Sequence, residues 1–310
     1  MRGVVVKNTG SWFDVKTQDG EIVPCKVKGS FRLKGIRSTS PVAVGDYVTF
    51  EKNQEGTAFI SAIDERRNYI IRKASNLSKQ SHILAANIDL CLLVVTLKDP
   101  VTFLVFIDRL LATAEAYSVD VAILINKVDI LDSAELEKAQ SIARLYESIG
   151  YKTFLGSVTH WQGLDELPSL LADKVTLLAG NSGVGKSALL NRLVPDANAR
   201  TSSISESHQA GMHTTTFSAM YDLPMGGSLI DIPGVKGFGT FNFEKEEVSH
   251  YFREIFKVGH NCRFGNCMHI NEPGCAVLRA VADGTIAESR YTSYLNMLED
   301  QDEGKYRAGY

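Results

Sequence analysis

Residues 180–187 read Gly180-Asn181-Ser182-Gly183-Val184-Gly185-Lys186-Ser187 and follow the apolar run Val175–Ala179. This Gly-x4-Gly-Lys-Ser pattern is a phosphate-binding loop, and it constrains the fold more than any other feature of the chain. Its glycines let the backbone curl so that N–H groups converge on phosphate oxygens. The following helix aims its positive N-terminal end at the same anion. Such a loop needs a strand before it and a helix after it, which is the setting of a parallel α/β sheet. The neighbouring sequence agrees. Ile88–Leu97 and Val121–Ile125 are continuous apolar runs, as strands buried on both faces require. Phe103–Tyr117 and Ala134–Ile149 have helical spacing, and Gly150 ends the second. Lys186 is expected to reach the β- and γ-phosphates, Ser187 to ligate Mg²⁺, and Ala188 to complete the phosphate cradle.

Asn126-Lys127-Val128-Asp129 follows one of these strands and matches a guanine-reading motif. The Asp129 carboxylate can accept from guanine N1–H and the 2-amino group. Adenine lacks that amino group and presents an acceptor at N1, so it would leave a desolvated carboxylate unpaired. Lys127 can lie over the base and Asn126 can brace the loops. Ser157, after the strand Lys152–Leu155, either completes the guanine pocket or is an ordinary loop serine. Asp231-Ile232-Pro233-Gly234 has the Asp-x-x-Gly form, in which Asp231 bonds a Mg²⁺-bound water and the Gly234 N–H senses the γ-phosphate. Between them, in Gly211-Met212-His213-Thr214-Thr215-Thr216, Thr215 is the candidate to close over Mg²⁺, with Thr214 the alternative. Val235 stands where many GTPases carry a water-orienting glutamine, and valine cannot orient water. His213 is the available substitute, so hydrolysis is expected to be slow and partner-dependent. The order is unusual: base-reading precedes phosphate-binding.

Residues 1–72 carry short apolar runs and turn signals without helical period, which suggests a small β-barrel or sandwich. Charge is uneven. Residues 1–75 hold 13 Lys and Arg against 8 Asp and Glu, while the whole chain has a net charge of −3. A polyanion would therefore meet the N-terminal part, through the loop of Arg32, Lys34 and Arg37 or the stretch Arg66-Arg67-Asn68-Tyr69, unless these are only solvated faces. Three of the five cysteines fall in Cys262-x4-Cys267-x-His269-x5-Cys275. Three thiolates and an imidazole at this spacing suit one tetrahedral, structural Zn²⁺. Cys25 and Cys91 read as buried thiols. No apolar run is long enough to cross a bilayer, and no export signal is evident, so a cytoplasmic location without membrane contact is expected.

These motifs, in the order 126–129, 180–187, 211–216, 231–234, 262–275, resemble those of the ribosome small-subunit-dependent GTPase A family (RsgA, also called YjeQ). The resemblance covers essentially the whole chain. It implies an oligonucleotide/oligosaccharide-binding-like (OB-like) β-barrel over residues 1–72, which binds RNA. It also implies a circularly permuted α/β P-loop GTPase domain over 73–240 and a mainly helical zinc-binding domain over 241–310. The implied activity is hydrolysis of GTP to GDP and phosphate in late assembly of the small ribosomal subunit. The subunit and its rRNA would be partners and stimulators, and the chain would act as a monomer. The family's catalytic histidine falls on His213 and its metal-sensing threonine on Thr215. The family alanine after Ser157 is Val158 here. Two other readings stay open: a nucleotide-gated RNA-binding module with little turnover, and a GTPase with a non-ribosomal target. The permutation suggests that nucleotide state reaches the C-terminal module directly, through Lys236-Gly237-Phe238-Gly239.

Overall fold

The computed structural model describes residues 1–27, 41–53, 57–73, 81–197, 218–232 and 244–303. His213, Thr214, Thr215, Gly234, Val235 and the loop of Arg32, Lys34 and Arg37 lie outside them.

The N-terminal strands are β1 (Arg2–Asn8), β2 (Phe13–Thr17), β3 (Ile22–Val27), β4 (Tyr47–Lys52) and β5 (Ala58–Ile63). Alternate residues point inward, among them Phe13 and Val15, Val23 and Cys25, Val48 and Phe50. That period of two is what a half-buried strand produces. β1–β2–β3 run antiparallel, β3 pairs with β5 in parallel, and β4 joins β5 back to β1. Closure decides between the two expected forms. The unit is a five-stranded barrel, in which the β1–β4 pairing over Arg2–Val4 closes the ring. The basic stretch at its end is not a free cationic face. Arg66 is folded onto the fully buried Asp46 through two bonds of 2.6 and 2.7 Å, and Arg67 donates to Asp89 at 2.6 Å.

A hairpin absent from the expectations follows: β6 (Tyr69–Lys73) with β7 (Ser81–Ala86). The expected division at 72/73 falls within β6. The central layer then alternates β8 (Leu90–Val95), α1 (Leu104–Ala116), β9 (Asp120–Ile125), α2 (Ser133–Ile149), β10 (Lys152–Leu155), α3 (Leu167–Leu171), β11 (Val175–Ala179) and α4 (Lys186–Leu193). It closes with β12 (Ser218–Asp222) and β13 (Ser228–Asp231). The strand order is β10-β9-β8-β11-β13-β12, parallel except for β12. Successive β8 residues feed opposite cores: Cys91, Leu93 and Val95 join the α1–α2 layer, and Leu90, Leu92 and Val94 join the α3–α4 layer. Burial on both faces explains the unbroken apolar runs. α2 starts with a capping box between Asp132 and Glu135 and stops at Gly150, whose φ of +99° suits glycine.

β1 also pairs with β12, so barrel and central sheet form one 11-stranded sheet. The C-terminal part is helical: α5 (Lys245–Val248), α6 (Arg253–Gly259), α7 (Ala276–Ala282) and α8 (Glu288–Glu303). Phe252, Ile255, Val277, Ile286, Tyr294 and Met297 form its core, and Ala112 of α1 belongs to the same cluster. Among the described residues no helix is long and apolar enough to cross a membrane.

Candidate functional site

Parallel strands place their following loops along one edge of the sheet, and ligands in such folds bind outside the carboxyl ends of the strands. Here β8, β9, β10, β11 and β13 lead into residues 96–103, 126–131, 156–163, 180–185 and 232. Motifs scattered along the chain therefore meet at one edge.

The phosphate loop has the conformation its glycines were expected to permit. Gly180, Gly183 and Gly185 have φ of +135°, +82° and +106°. A Cβ at Gly185 would lie 2.3 Å from Asn126 Nδ2, so this glycine is needed for close approach as well as for its dihedral. Asn126 uses that space. It is 3% exposed, donates from Nδ2 to the Val184 carbonyl at 2.8 Å, and accepts from the Val158 N–H at 2.9 Å. One side chain thus ties the phosphate loop, the guanine loop and the loop after β10. Lys186 donates to the carbonyls of Gly180 and Asn181 at 2.7 and 2.6 Å. Burial holds its pKa down, against the pull of Asp231. Asp231 is 8% exposed, and burial raises its carboxyl against the opposing effect of Lys186. The two charges therefore face one site in a poorly solvated setting. Ser187 and Ala188 lie in the first turn of α4, partly covered. Asn181 is partly covered, Ser182 and Gly183 are exposed, and Val184 is buried beneath the loop.

Lys127 has left-handed backbone (φ +65°), and its ammonium donates to the Asp99 carbonyl. The Asp129 carboxylate is partly exposed, with His160 Nε2 at 3.8 Å from Oδ2. Ser157 is fully buried, and its hydroxyl accepts from the His160 N–H at 3.3 Å. It braces the loop after β10, whose turn is closed by paired backbone bonds between Ser157 and Gln162. The contribution of residues 96–103 was not anticipated. Besides the Asp99 carbonyl, Pro100 lies 3.4 Å from the position of a Cβ on Gly183. The topology alone could have found this, because β8 lies between β9 and β11.

The second cluster lies between α6 and α7. The ligand atoms of Cys262, Cys267, His269 and Cys275 are all within 4.8 Å of one another. Donor type and spacing fit one tetrahedral metal ion. Backbone amides already face the sulfurs: Ala276 N–H donates to Cys262 Sγ at 3.3 Å and Leu278 N–H to Cys275 Sγ at 3.4 Å. Cys267 is pushed up to about 12 by burial and by the neighbouring thiols, the repulsion that a bound divalent cation reverses. Cys25 and Cys91 are buried thiols, as expected, in the barrel core and the central core.

Comparison with known proteins matches the same organisation. Residues 63–241 match the family described as RsgA GTPase, and residues 2–60 the RsgA N-terminal domain. A Bacteroides fragilis protein named small ribosomal subunit biogenesis GTPase RsgA is 61% identical over 310 residues, covering 100% of both chains. The crystal structure of YjeQ from Thermotoga maritima superposes with a TM-score of 0.74 at 32% identity, covering 97% of this chain and 98% of that one. That of YloQ, described as a circularly permuted GTPase, gives 0.71 at 28% identity over 99% and 96%. The chain belongs to the RsgA GTPase family.

Proposed function

We propose that the chain is a GTPase of small ribosomal subunit biogenesis, hydrolysing GTP to GDP and phosphate while docked on the subunit, which stimulates it. The observation that carries the guanine-nucleotide part is Asn126, which bonds the loop preceding Lys186 and the loop presenting Asp129 into one unit. The ribosomal part rests on relatives named for small-subunit biogenesis at 61% identity over the full chain.

In this reading Gly180–Ser187 and Ala188 wrap the phosphates with backbone N–H groups. Lys186 gives up its two loop carbonyls for phosphate oxygens, which relieves its poor solvation. Asp129 accepts from guanine N1–H and the 2-amino group, Lys127 covers the base, and Ser157 supports the pocket wall. Mg²⁺, held through Ser187 and Thr215 with Asp231 behind its water shell, would supply charge neutralisation at the phosphates. Gly234 would register the γ-phosphate and His213 would orient the attacking water. A structural Zn²⁺ on Cys262, Cys267, His269 and Cys275 would hold the C-terminal module together. RNA contact would fall to the barrel, and the protein would act as a monomer in the cytoplasm.

The decisive test is multiple-turnover GTP hydrolysis with and without purified small subunits. A large rise in rate is expected, with most of it lost in His213→Ala. A rate indifferent to subunits would remove the ribosomal reading and leave a nucleotide-binding protein with another target.

A further inference from the structure

His269 is a strained ligand. Its φ of +58° is left-handed, a conformation that a histidine keeps only where its surroundings impose it. The residue is 4% exposed, and its Nδ1 lies 3.6 Å from Cys262 Sγ and 3.5 Å from Cys275 Sγ. The backbone on both sides of it is held by groups that are not ligands. The Glu272 carboxylate accepts from the Met268 N–H at 2.6 Å through Oε1, and from the Ile270 and Asn271 N–H groups at 2.8 and 3.1 Å through Oε2. Those amides belong to the residue before His269 and the two after it. From the opposite side, the hydroxyls of Tyr294 and Tyr291 on α8 donate to the carbonyls of Met268 and His269, each at 2.7 Å. Gly259 leaves room for the ring: a Cβ there would sit 3.3 Å from its Nε2 and Cε1.

We propose that Glu272 is a positioning residue for the metal centre, holding the peptide around His269 so that Nδ1 is presented to the three sulfurs, and that this slows release of the metal. This rests on the reading that the four ligands bind a metal ion. Glu272 is not itself a fifth ligand, because both its oxygens are engaged by three amides. Without it those amides lose their acceptor, and the strained backbone is free to relax and withdraw the imidazole. Groups that orient ligands from behind typically change metal affinity by about 10–100-fold when removed.

The test uses the full chain loaded with one equivalent of Zn²⁺ and follows transfer of the metal to a chromophoric chelator. Glu272→Ala should release zinc about 10–100-fold faster. Glu272→Gln, which keeps an acceptor oxygen, should show a smaller effect in the same direction. Tyr291→Phe probes the other side of the same peptide and should also accelerate release. With Co²⁺ in place of zinc, Glu272→Ala should shift the ligand-field bands as the nitrogen ligand is lost, a change that loss of stability alone would not produce. Unchanged release and unchanged Co²⁺ spectra in folded Glu272→Ala would overturn the proposal. If that variant does not fold, unchanged release in both Glu272→Gln and Tyr291→Phe would do so. If the wild-type chain takes up no zinc, it is the metal reading that fails.

Discussion

Asn126 shows how much one residue can do at this site. It is buried, and both ends of its amide are matched to backbone groups of other loops. Asn126→Ala leaves the Val184 carbonyl and the Val158 N–H without their partner. A buried unsatisfied group costs about 1–3 kcal/mol, so the variant should lose about 2 kcal/mol or more in denaturant unfolding and bind GDP more weakly. Asp231 behaves in the opposite sense. Its folded pKa is raised, so the folded chain binds that proton more tightly than the unfolded chain does. Its contribution therefore falls as pH rises through the ordinary carboxylate range towards the raised value, and near neutral pH the buried charge is a net cost. Asp231→Asn should raise the melting temperature of the nucleotide-free chain at pH 7 while lowering Mg²⁺-dependent hydrolysis. An unchanged or lower melting temperature would show that the carboxylate is better satisfied than its burial implies. Residues of this kind were legible because phosphate and guanine chemistry each demand specific groups at short spacing. Arg66 was not: a basic dipeptide looks the same in sequence whether it faces RNA or, as here, the buried Asp46 twenty residues earlier.

Among the elements, the parallel strands and their helices could be foreseen from period and apolar content, and β6–β7 could not, since neither strand has a clean alternation. The larger omission is the junction of α1 with α8. Asp108 is fully buried in α1 and accepts from Arg290 at 2.8 Å, Ser293 at 2.6 Å and Tyr146 at 2.8 Å. Arg290, 1% exposed, also holds Glu254 at 2.6 and 3.1 Å. Partners 182 residues apart leave no local signal, and an aspartate in an amphipathic helix reads as solvent-facing. Arg290→Met leaves the buried Asp108 and the partly covered Glu254 without their shared cation and should cost about 3–5 kcal/mol. Adding Asp108→Leu removes one of them and should recover part of that loss, because buried ion pairs are often replaceable by apolar groups of similar volume. Urea unfolding of the single and double variants measures the coupling. Strict additivity would mean that Arg290 and Asp108 do not depend on each other.

At the scale of the whole molecule, the barrel is a continuation of the nucleotide sheet. Ala219 of β12 is paired with Lys7 of β1 on one side and with Asp231 of β13 on the other, and Asp231 is paired in turn with Leu178, two residues before Gly180. A row of paired backbone therefore runs from the barrel through Asp231 to the root of the phosphate loop. Lys16 and Asp222 add an exposed ion pair across the same junction. Exposed pairs contribute little, so at this junction the strand pairing outweighs the ion pair; a second contact joins Val44 of the barrel to Ala85 of β7 by a parallel bridge. Two sites that bias one element are thermodynamically reciprocal: a partner bound more tightly in one nucleotide state must tighten that nucleotide by the same factor. If the barrel carries the subunit contact, β12 offers the direct route to Asp231. Ala219→Pro introduces a residue that cannot donate to the ladder. It should leave a folded chain that still binds small subunits but has lost most of the affinity difference between its GTP-analogue and GDP forms, as measured by co-sedimentation. An intact difference in that variant would exclude β12 as the route and leave the Val44–Ala85 bridge, which leads through β7 into β8, to carry it.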